Sequence, residues 1–206
     1  MRQIDLNGTW QMHLPDGEQL SWTVPGSAAA CLLQHGRIED PYVMDNEKKV
    51  LPVFEQDYTF TRSFTVAAED LAHDKVFLHC DGLDTIAMLT LNGAGLGRAE
   101  NMHRTYVYDA KPLLRQGENT LSILFASPLQ YLKNHPSQTG KRFSTIRKAA
   151  CMFGWDWCIA LSDSGIWRDI YIEPFYIARI EHVGCRRTHH NGPVPLDVSV
   201  EAALFR

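Results

Sequence analysis

Short segments in which apolar and polar residues alternate follow one another from the beginning of the chain to about Glu173, with Gly, Pro, Asn and Asp between them. An alternation with a period of two is typical of strands that bury one face, and many such strands separated by turns favour an all-β sandwich. Helical periodicity is scarce. The clearest predicted strands are residues 58–66, 75–80, 85–91, 106–109, 120–126 and 167–173.

Turn and helix signals add detail to this pattern. Asn92-Gly93 matches the hairpin turn in which two successive residues adopt a positive φ. Residues 27–35 have the composition of a short helix, with Ser27 as its N-cap and Gly36 as its end.

Two connecting segments are also predicted. Residues 116–119 are expected to form the turn that leads into the next strand. Residues 127–148 are polar and basic and contain two prolines and a glycine, so we expect a long loop outside the core. Loops of this length in a compact domain are usually functional or disordered.

The pattern changes after Pro174, where two further strands are predicted at residues 177–183 and 196–204. Two strands do not form an independently stable sandwich. We therefore predict one β-sandwich domain in residues 1–176 and the first strands of a second, incomplete β domain in residues 177–206. The chain is expected to be part of a longer protein.

The composition is that of a globular protein, with 45% hydrophobic and 21% charged residues. A length of 206 residues allows one domain of ordinary size but not a (β/α)₈ barrel beside it. The net charge of −4, with cations scattered along the chain, does not favour a nucleic-acid partner. No apolar run has the length of a membrane span or of a secretory signal, so we expect a cytoplasmic protein without a membrane partner.

The five cysteines fit neither a disulfide framework nor a common zinc motif, because their number is odd and no C-x-x-C pair occurs. We expect reduced thiols and no metal site. The adjacent His189 and His190 do not change this expectation, since no third ligand is in view.

Three of the five tryptophans, Trp155, Trp157 and Trp167, lie close in sequence to one carboxylate, Asp156. Indole faces stack on the apolar CH faces of a pyranose ring, while a carboxylate accepts charge-assisted hydrogen bonds from sugar hydroxyls. In a strand, Trp155 and Trp157 would share one face and Asp156 would point to the other. The segment therefore predicts a carbohydrate site. The alternative is a sandwich core that is rich in tryptophan.

A series of short motifs extends through most of the chain in a specific order. They are residues 6–10, 24–26, 36–42, 45–47, 82–85, 91–93, 101–104, 117–119, 147–149, 153–157 and 165–168. The strongest of them is the segment from Phe153 to Trp157. With these motifs the chain resembles the N-terminal domain of the family-2 glycoside hydrolases, and within that family it is most similar to the β-mannosidases.

The resemblance implies a jelly-roll β-sandwich of the galactose-binding-domain type, then an immunoglobulin-like domain that would begin in residues 177–206, then a catalytic (β/α)₈ barrel. It implies retaining hydrolysis of terminal, non-reducing β-D-mannose residues by two glutamates on the barrel. We therefore expect no catalytic residue and no cofactor in this chain. Asp156 would accept hydrogen bonds from the sugar, and Trp155 or Trp157 would wall it. The expected partners are a terminal β-mannoside and the parent's own barrel; a homodimer is left open.

The sequence departs from the family pattern at two places. Cys158-Ile159 stands where a Gly-Pro turn is common, which leaves the path of the loop open. Tyr58 stands where the family usually has tryptophan, so an aromatic residue is kept.

Several polar residues outside the tryptophan segment favour structural roles. Asn46-Glu47 copies the Asn-Glu pair of the family's catalytic barrel, but it lies outside any predicted strand, so we expect it to cap a turn or touch the barrel. Asp84 is expected to satisfy a turn, and Arg104 to pair with Asp84 or with the barrel.

The basic residues that precede the tryptophan segment have two interpretations. One is that they pair with carboxylates across an interface, and the other, commoner for basic loops, is that they remain solvated. The residues concerned are Arg142, Arg147 and Lys148.

Three alternatives to the leading interpretation stay open. The first is a free-standing carbohydrate-binding module. The second is the same domain from a β-galactosidase or a β-glucuronidase, since sugar specificity depends heavily on barrel residues. The third is a structural spacer or dimer surface, against which the carboxylate between two tryptophans argues.

Overall fold

The computed structural model describes residues 3–138, 140, 143, 145–189 and 192–204. The strands are β1 (Ile4–Asp5), β2 (Gly8–His13), β3 (Gln19–Val24), β4 (Tyr58–Val66), β5 (Lys75–Cys80), β6 (Leu83–Asp84), β7 (Ile86–Leu91), β8 (Ala94–Ala99), β9 (Tyr106–Asp109), β10 (Gly117–Ala126), β11 (Gly165–Ile166), β12 (Ile170–Phe175), β13 (Ala178–Arg187) and β14 (Leu196–Leu204). The helices are α1 (Ala28–Gln34), α2 (Asn46–Val50), α3 (Ala68–Leu71) and α4 (Pro128–Asn134), with 3₁₀ turns at Leu51–Glu55, Lys111–Leu113 and Ala150–Phe153. None of the described helices is long and apolar enough to cross a membrane.

Two antiparallel sheets form a sandwich. The larger has the strand order β3-β2-β4-β10-β7-β8, and the smaller has the order β1-β12-β5-β9. A single apolar core joins Trp10, Phe60 and Phe125 of the larger sheet to Leu78 and Ile172 of the smaller. The rings of Phe60 and Phe125 meet edge to face, with centroids 5.7 Å apart. The all-β jelly-roll fold expected from the sequence is confirmed.

Most of the predicted elements lie where the alternation places them. Strands β4, β5, β9 and β14 have the predicted bounds. Asn92 and Gly93 form the turn between β7 and β8, with φ values of 53° and 81°. The Ser27 hydroxyl caps α1 by accepting a hydrogen bond from the amide of Ala30 at 3.4 Å, and Gly36 beyond the helix has a φ of 64°.

The predicted turn at residues 116–119 is wrong in part, because β10 already begins at Gly117. The buried Asn119 pairs with Phe64 of β4 through its backbone. Its side-chain amide donates to the carbonyls of Arg115 and Gly117 at 2.7 and 2.9 Å. The side chain thus satisfies the turn while the main chain already belongs to the sheet.

The predicted loop at residues 127–148 is also wrong in part, because it opens with helix α4. Pro128 occupies the first turn of this helix, where the missing amide hydrogen leaves no group unpaired. The Ser127 hydroxyl accepts a hydrogen bond from the amide of Gln130 at 3.1 Å. The proline that indicated a loop is therefore part of a helix start.

A second, smaller apolar core lies outside the main one. Ala29 of α1, Val50 of α2 and Phe54 of the following 3₁₀ turn are buried together. Leu129 of α4 and Leu161, which precedes β11, pack against them. This small core joins the peripheral helices to the segment that carries the tryptophans.

The ribbon formed by β13 and β14 follows the sandwich and is docked to it at its base. The amide of Ile177 donates to the carboxylate of Asp74 at 2.9 Å. The ring of Tyr176 stacks on His73, with centroids 3.9 Å apart. These contacts fix the point at which the chain leaves the sandwich.

One face of this ribbon is apolar and exposed. Val183 lies opposite Val200, and Cys185 lies opposite Val198, so the strand alternation places all four side chains on the same face. Val198 and Val200 are each 57% exposed. Two-stranded ribbons are marginal by themselves, and an exposed apolar face of this kind indicates a surface that another element covers.

We predict that Val200→Lys reduces the self-association of the 206-residue chain and its binding of an apolar dye, because it places a charge on the apolar face. Ser199→Lys adds the same charge to the opposite face and should change neither property. Both variants should keep the stability of the parent within about 0.5 kcal/mol, since both positions are exposed. Sedimentation velocity and dye fluorescence provide the measurements. Equal behaviour of the two variants would contradict the prediction.

Candidate functional site

The Trp-Asp-Trp segment forms a tight turn rather than a strand. The amide of Trp155 donates to the carbonyl of Cys158 at 2.9 Å, and the amide of Cys158 donates back to Trp155 at 3.3 Å. Gly154, with a φ of 97°, directs the chain out of the preceding 3₁₀ turn. The expected alternation of faces is therefore wrong, because Asp156 and Trp157 occupy the corner of a turn.

The two tryptophans of this turn are exposed. Trp155 is 54% and Trp157 is 73% accessible, and Asp156 is exposed between them. Large indole side chains at this level of exposure do not stabilise a core. The interpretation of the segment as tryptophan-rich core therefore fails for these two residues.

Trp167 does not belong to the same group. Its indole nitrogen lies where a side chain on Gly82 would have to be, so it packs against the backbone at the base of β6. The guanidinium of Arg168 lies over its ring, 4.1 Å from the centroid. The structure thus brings together Trp155, Asp156 and Trp157 but separates Trp167 from them.

An open depression of about 820 Å³ surrounds the turn. Its walls are Tyr42, Glu47 and the segment from Gly154 to Ile159. Its walls combine aromatic faces with the carboxylates of Asp156 and Glu47, the two kinds of group that contact a sugar. Sequence reasoning missed Tyr42 and Glu47 as parts of this site.

Asn46 and Glu47 connect α2 to its surroundings in different ways. The buried side chain of Asn46 donates to the carbonyl of Asp40 at 3.0 Å. One carboxylate oxygen of Glu47 accepts a hydrogen bond from the amide of Ala160 at 2.9 Å. Both contacts fit the structural role expected for the pair, and the second one reaches the tryptophan segment.

The base of the segment is closed by a buried ion pair. The side chain of Lys148 is 0% exposed, and its ammonium donates to the carboxylate of Asp84 at 2.5 Å. The same ammonium donates to the main-chain carbonyl of Asp163 at 2.6 Å. Residues 149–162 therefore leave and re-enter the domain at one charged anchor.

The side chain of Asp163 extends this anchor to helix α1. Its carboxylate accepts hydrogen bonds from the amides of Ala29 at 2.9 Å and Ser164 at 2.7 Å. The amide of Ala28 donates to the carbonyl of Ser164 at 2.8 Å. Helix α1 and the start of β11 are thus joined directly to the anchor.

Burial shifts Lys148 and Asp163 towards their neutral forms. Desolvation lowers the pKa of Lys148, and the carboxylate of Asp84 opposes this shift. Desolvation likewise raises the pKa of Asp163, opposed by hydrogen bonds from Ser27, Ala29 and Ser164. The polar partners therefore offset part of the cost of burying these charges.

The expectations for the neighbouring basic residues are corrected by these contacts. Lys148 is neither solvated nor part of an interface. The partner of Asp84 is Lys148 rather than Arg104, whose guanidinium lies 5.2 Å from the ring centroid of Tyr106. Arg147 is exposed. The predicted role of Arg142 concerns a position outside the described residues.

The described residues offer no cluster of three or more metal-ligating side chains. All five cysteines lie in the described ranges and are free thiols. Burial raises the pKa of Cys31 to about 11, which keeps this thiol protonated and unreactive at neutral pH. His190 lies outside the described residues.

We predict that Lys148→Met destabilises the chain by about 3–5 kcal/mol, because it leaves the carboxylate of Asp84 buried without a cation. The matched control is Arg147→Met, which removes a cation from the adjacent exposed position and should cost less than about 0.5 kcal/mol. Urea unfolding followed by circular dichroism measures both values. A similar loss for the two variants would mean that the anchor does not support the fold.

Comparison with known proteins places this geometry in a family. Residues 10–168 match the family described as glycosyl hydrolase 2 galactose-binding domain-like. The chain is 30% identical to a β-mannosidase of Mus musculus over 97% of its own length and 24% of that protein. It is 32% identical to β-mannosidase B of Emericella nidulans over 77% of its own length and 20% of that protein. The chain thus spans about a quarter of the length of the curated relatives it matches.

Solved structures agree with this relationship. The crystal structure of a β-D-mannosidase from Dictyoglomus thermophilum matches with a TM-score of 0.94 at 29% identity, covering 99% of this chain and 26% of that one. A β-D-glucuronidase from Dictyoglomus thermophilum matches with a TM-score of 0.66 at 14% identity, covering 98% of this chain and 32% of that one, and shows a shared fold alone. With its jelly-roll fold and the family match over residues 10–168, the chain belongs to the galactose-binding-domain-like family of glycosyl hydrolase 2 domains and is homologous to β-mannosidases.

Proposed function

We propose that this chain is the N-terminal, non-catalytic domain of a β-mannosidase-like retaining glycoside hydrolase, and that its Trp-Asp-Trp turn completes the sugar subsite of a catalytic (β/α)₈ barrel in the longer protein. One observation carries this proposal. Asp156 is held at the corner of a tight turn between two exposed indoles, in an open depression.

The chemistry of the turn fits a sugar ring. The carboxylate of Asp156 accepts hydrogen bonds from two neighbouring hydroxyls, and an indole of Trp155 or Trp157 covers an apolar face of the ring. Such contacts position the substrate and strengthen as the ring distorts towards the transition state. The acid/base and the nucleophile of a retaining enzyme stand about 5 Å apart, and we assign that pair to the barrel.

We infer that the barrel covers an exposed apolar rim formed by Tyr42, Val43 and Met44, of which Tyr42 lines the depression. These three consecutive residues are 73%, 50% and 95% exposed. Exposed apolar patches of this kind usually mark contacts with another protein surface. A barrel seated against this rim would bring its own residues to the open side of the depression. The expected cytoplasmic location and the homodimer stay predictions.

We also propose that residues 1–176 are the sugar-binding domain and that residues 177–206 begin an immunoglobulin-like domain. The apolar face of the β13–β14 ribbon supports this division, because a sandwich needs a second sheet over that face. The preference for mannosides rests on the β-mannosidase relatives, since glucuronidase structures share the same fold.

We predict that Asp156→Ala in the longer protein lowers kcat/KM for an aryl β-mannoside by about 100-fold or more, because charge-assisted bonds to the sugar are lost without damage to the fold. Asp156→Asn should recover part of this loss, since its amide oxygen still accepts hydrogen bonds. The control Glu118→Ala removes an exposed carboxylate on β10 and should leave kcat/KM unchanged. An unchanged kcat/KM for Asp156→Ala would remove this residue from the subsite.

The exposed indoles also suit a second candidate, a free-standing carbohydrate-binding module. The two candidates differ in what the 206-residue chain does alone. As half of a subsite it offers few hydrogen bonds to offset the desolvation of a sugar, so we expect no hydrolysis of a chromogenic β-mannoside and no binding of mannose or manno-oligosaccharides by calorimetry. Binding of those sugars by the isolated chain, abolished by Trp157→Ala, would favour the module instead.

A further inference from the structure

The outgoing limb of the Trp-Asp-Trp turn is hydrogen-bonded to one side chain from elsewhere in the fold. Among the described residues, Glu47 is the single side chain outside residues 149–163 that forms a hydrogen bond to residues 154–161. It does so through its carboxylate and the amide of Ala160, at 2.9 Å. The two residues are 113 positions apart, so this bond connects two separate parts of the fold.

Glu47 is itself held in place by α2. Its neighbour Asn46 is buried and bonded to the carbonyl of Asp40, and Val50 at the end of the helix is 2% exposed in the small core. The carboxylate is partly buried, whereas Lys48 and Lys49 point to solvent. The bond to Ala160 thus starts from a fixed platform.

The second carboxylate oxygen of Glu47 lies free of hydrogen bonds from the described residues, while the first holds Ala160. Because the side chain also lines the depression, its position is coupled to the shape of the site. Ala160 lies two positions after Cys158, whose backbone pairs with that of Trp155 and closes the turn that carries Asp156. The bond to Ala160 therefore acts close to this closed turn.

We propose that Glu47 is a positioning residue that holds the Asp156 turn in the position in which Asp156 contacts the sugar. The proposal rests on the proposed function of Asp156. The anchor at Lys148 fixes the two ends of residues 149–162, and Glu47 fixes the outgoing limb near the tip. Without Glu47 the outgoing limb would keep the packing of Leu161 against the small apolar core but would lose its side-chain hydrogen bond from α2. A displacement of about 1 Å at a substrate-positioning group lowers turnover by roughly 100-fold.

The test compares three variants in the longer protein. Glu47→Ala removes the acceptor, whereas Glu47→Gln keeps a side-chain oxygen that can accept the bond from Ala160. The control is Glu39→Ala, which breaks the exposed ion pair of the same region with Lys49. We expect kcat/KM for an aryl β-mannoside to fall roughly 10- to 100-fold in Glu47→Ala, to recover in Glu47→Gln, and to stay unchanged in the control.

A double variant shows whether Glu47 acts through Asp156. If it does, Glu47→Ala should lower kcat/KM less than about 2-fold when Asp156 is already alanine, since coupled residues are not additive. An additional loss as large as in the parent would overturn the positioning role. So would equal losses in Glu47→Ala and Glu47→Gln, because a direct charge contact with the sugar would then be the better explanation.

Hydrogen exchange separates this inference from the proposed function. In the 206-residue chain, the peptide that contains Ala160 should exchange at least about 10-fold faster in Glu47→Ala than in Glu47→Gln, with no sugar present. Unchanged exchange would overturn the role of the Glu47–Ala160 hydrogen bond, even if Asp156 proved essential for activity. Faster exchange in Glu47→Ala, together with an unchanged kcat/KM for Asp156→Ala, would support the Glu47–Ala160 contact but reject the sugar site at Asp156.

Discussion

The ammonium group of Lys148 lies in the interior, out of contact with solvent, and binds both the carboxylate of Asp84 and the main chain at Asp163. An isolated charge at this depth would be strongly unfavourable, so separating the three groups costs stability. The consequence is geometric. Residues 149–162 project from a base that these bonds hold closed, and the hydrogen bonds of Asp163 extend that base to helix α1.

The loop combines this rigid base with a tip that is open to solvent. Trp155, Asp156 and Trp157 are exposed, although exposed indoles contribute little to stability. The proposed sugar-binding role accounts for this distribution, because a sugar needs apolar faces and charged acceptors that are already in place before it binds. Glu47 adds a second point of attachment close to the tip. The domain is thus organised to present a small number of side chains in a fixed position.

Eight of the fourteen strands of the described residues could be located from the sequence, because a period of two identifies them locally. The hairpin turn and the capped helix α1 have equally local signals. The strands β1, β2, β3, β6, β8 and β11 are not located in this way. The segment around Asp156 could also be singled out as a candidate sugar site, since two tryptophans beside a carboxylate are visible in the sequence itself. The roles of Lys148 and Glu47 could not. Their partners Asp84 and Ala160 are 64 and 113 positions away, and a lysine or glutamate in a polar stretch usually indicates a solvated side chain. Only the folded chain shows which charges are buried.

We propose that Asp156 supplies hydrogen-bond acceptors to a sugar whose chemistry takes place on another domain. The decisive experiment is a crystal structure of the longer protein with a mannose-configured, non-hydrolysable ligand in the cleavage subsite. We expect a carboxylate oxygen of Asp156 to lie within about 3.2 Å of a sugar hydroxyl. A bound sugar whose hydroxyls all lie beyond hydrogen-bonding reach of Asp156, with the Trp-Asp-Trp turn facing solvent, would contradict it.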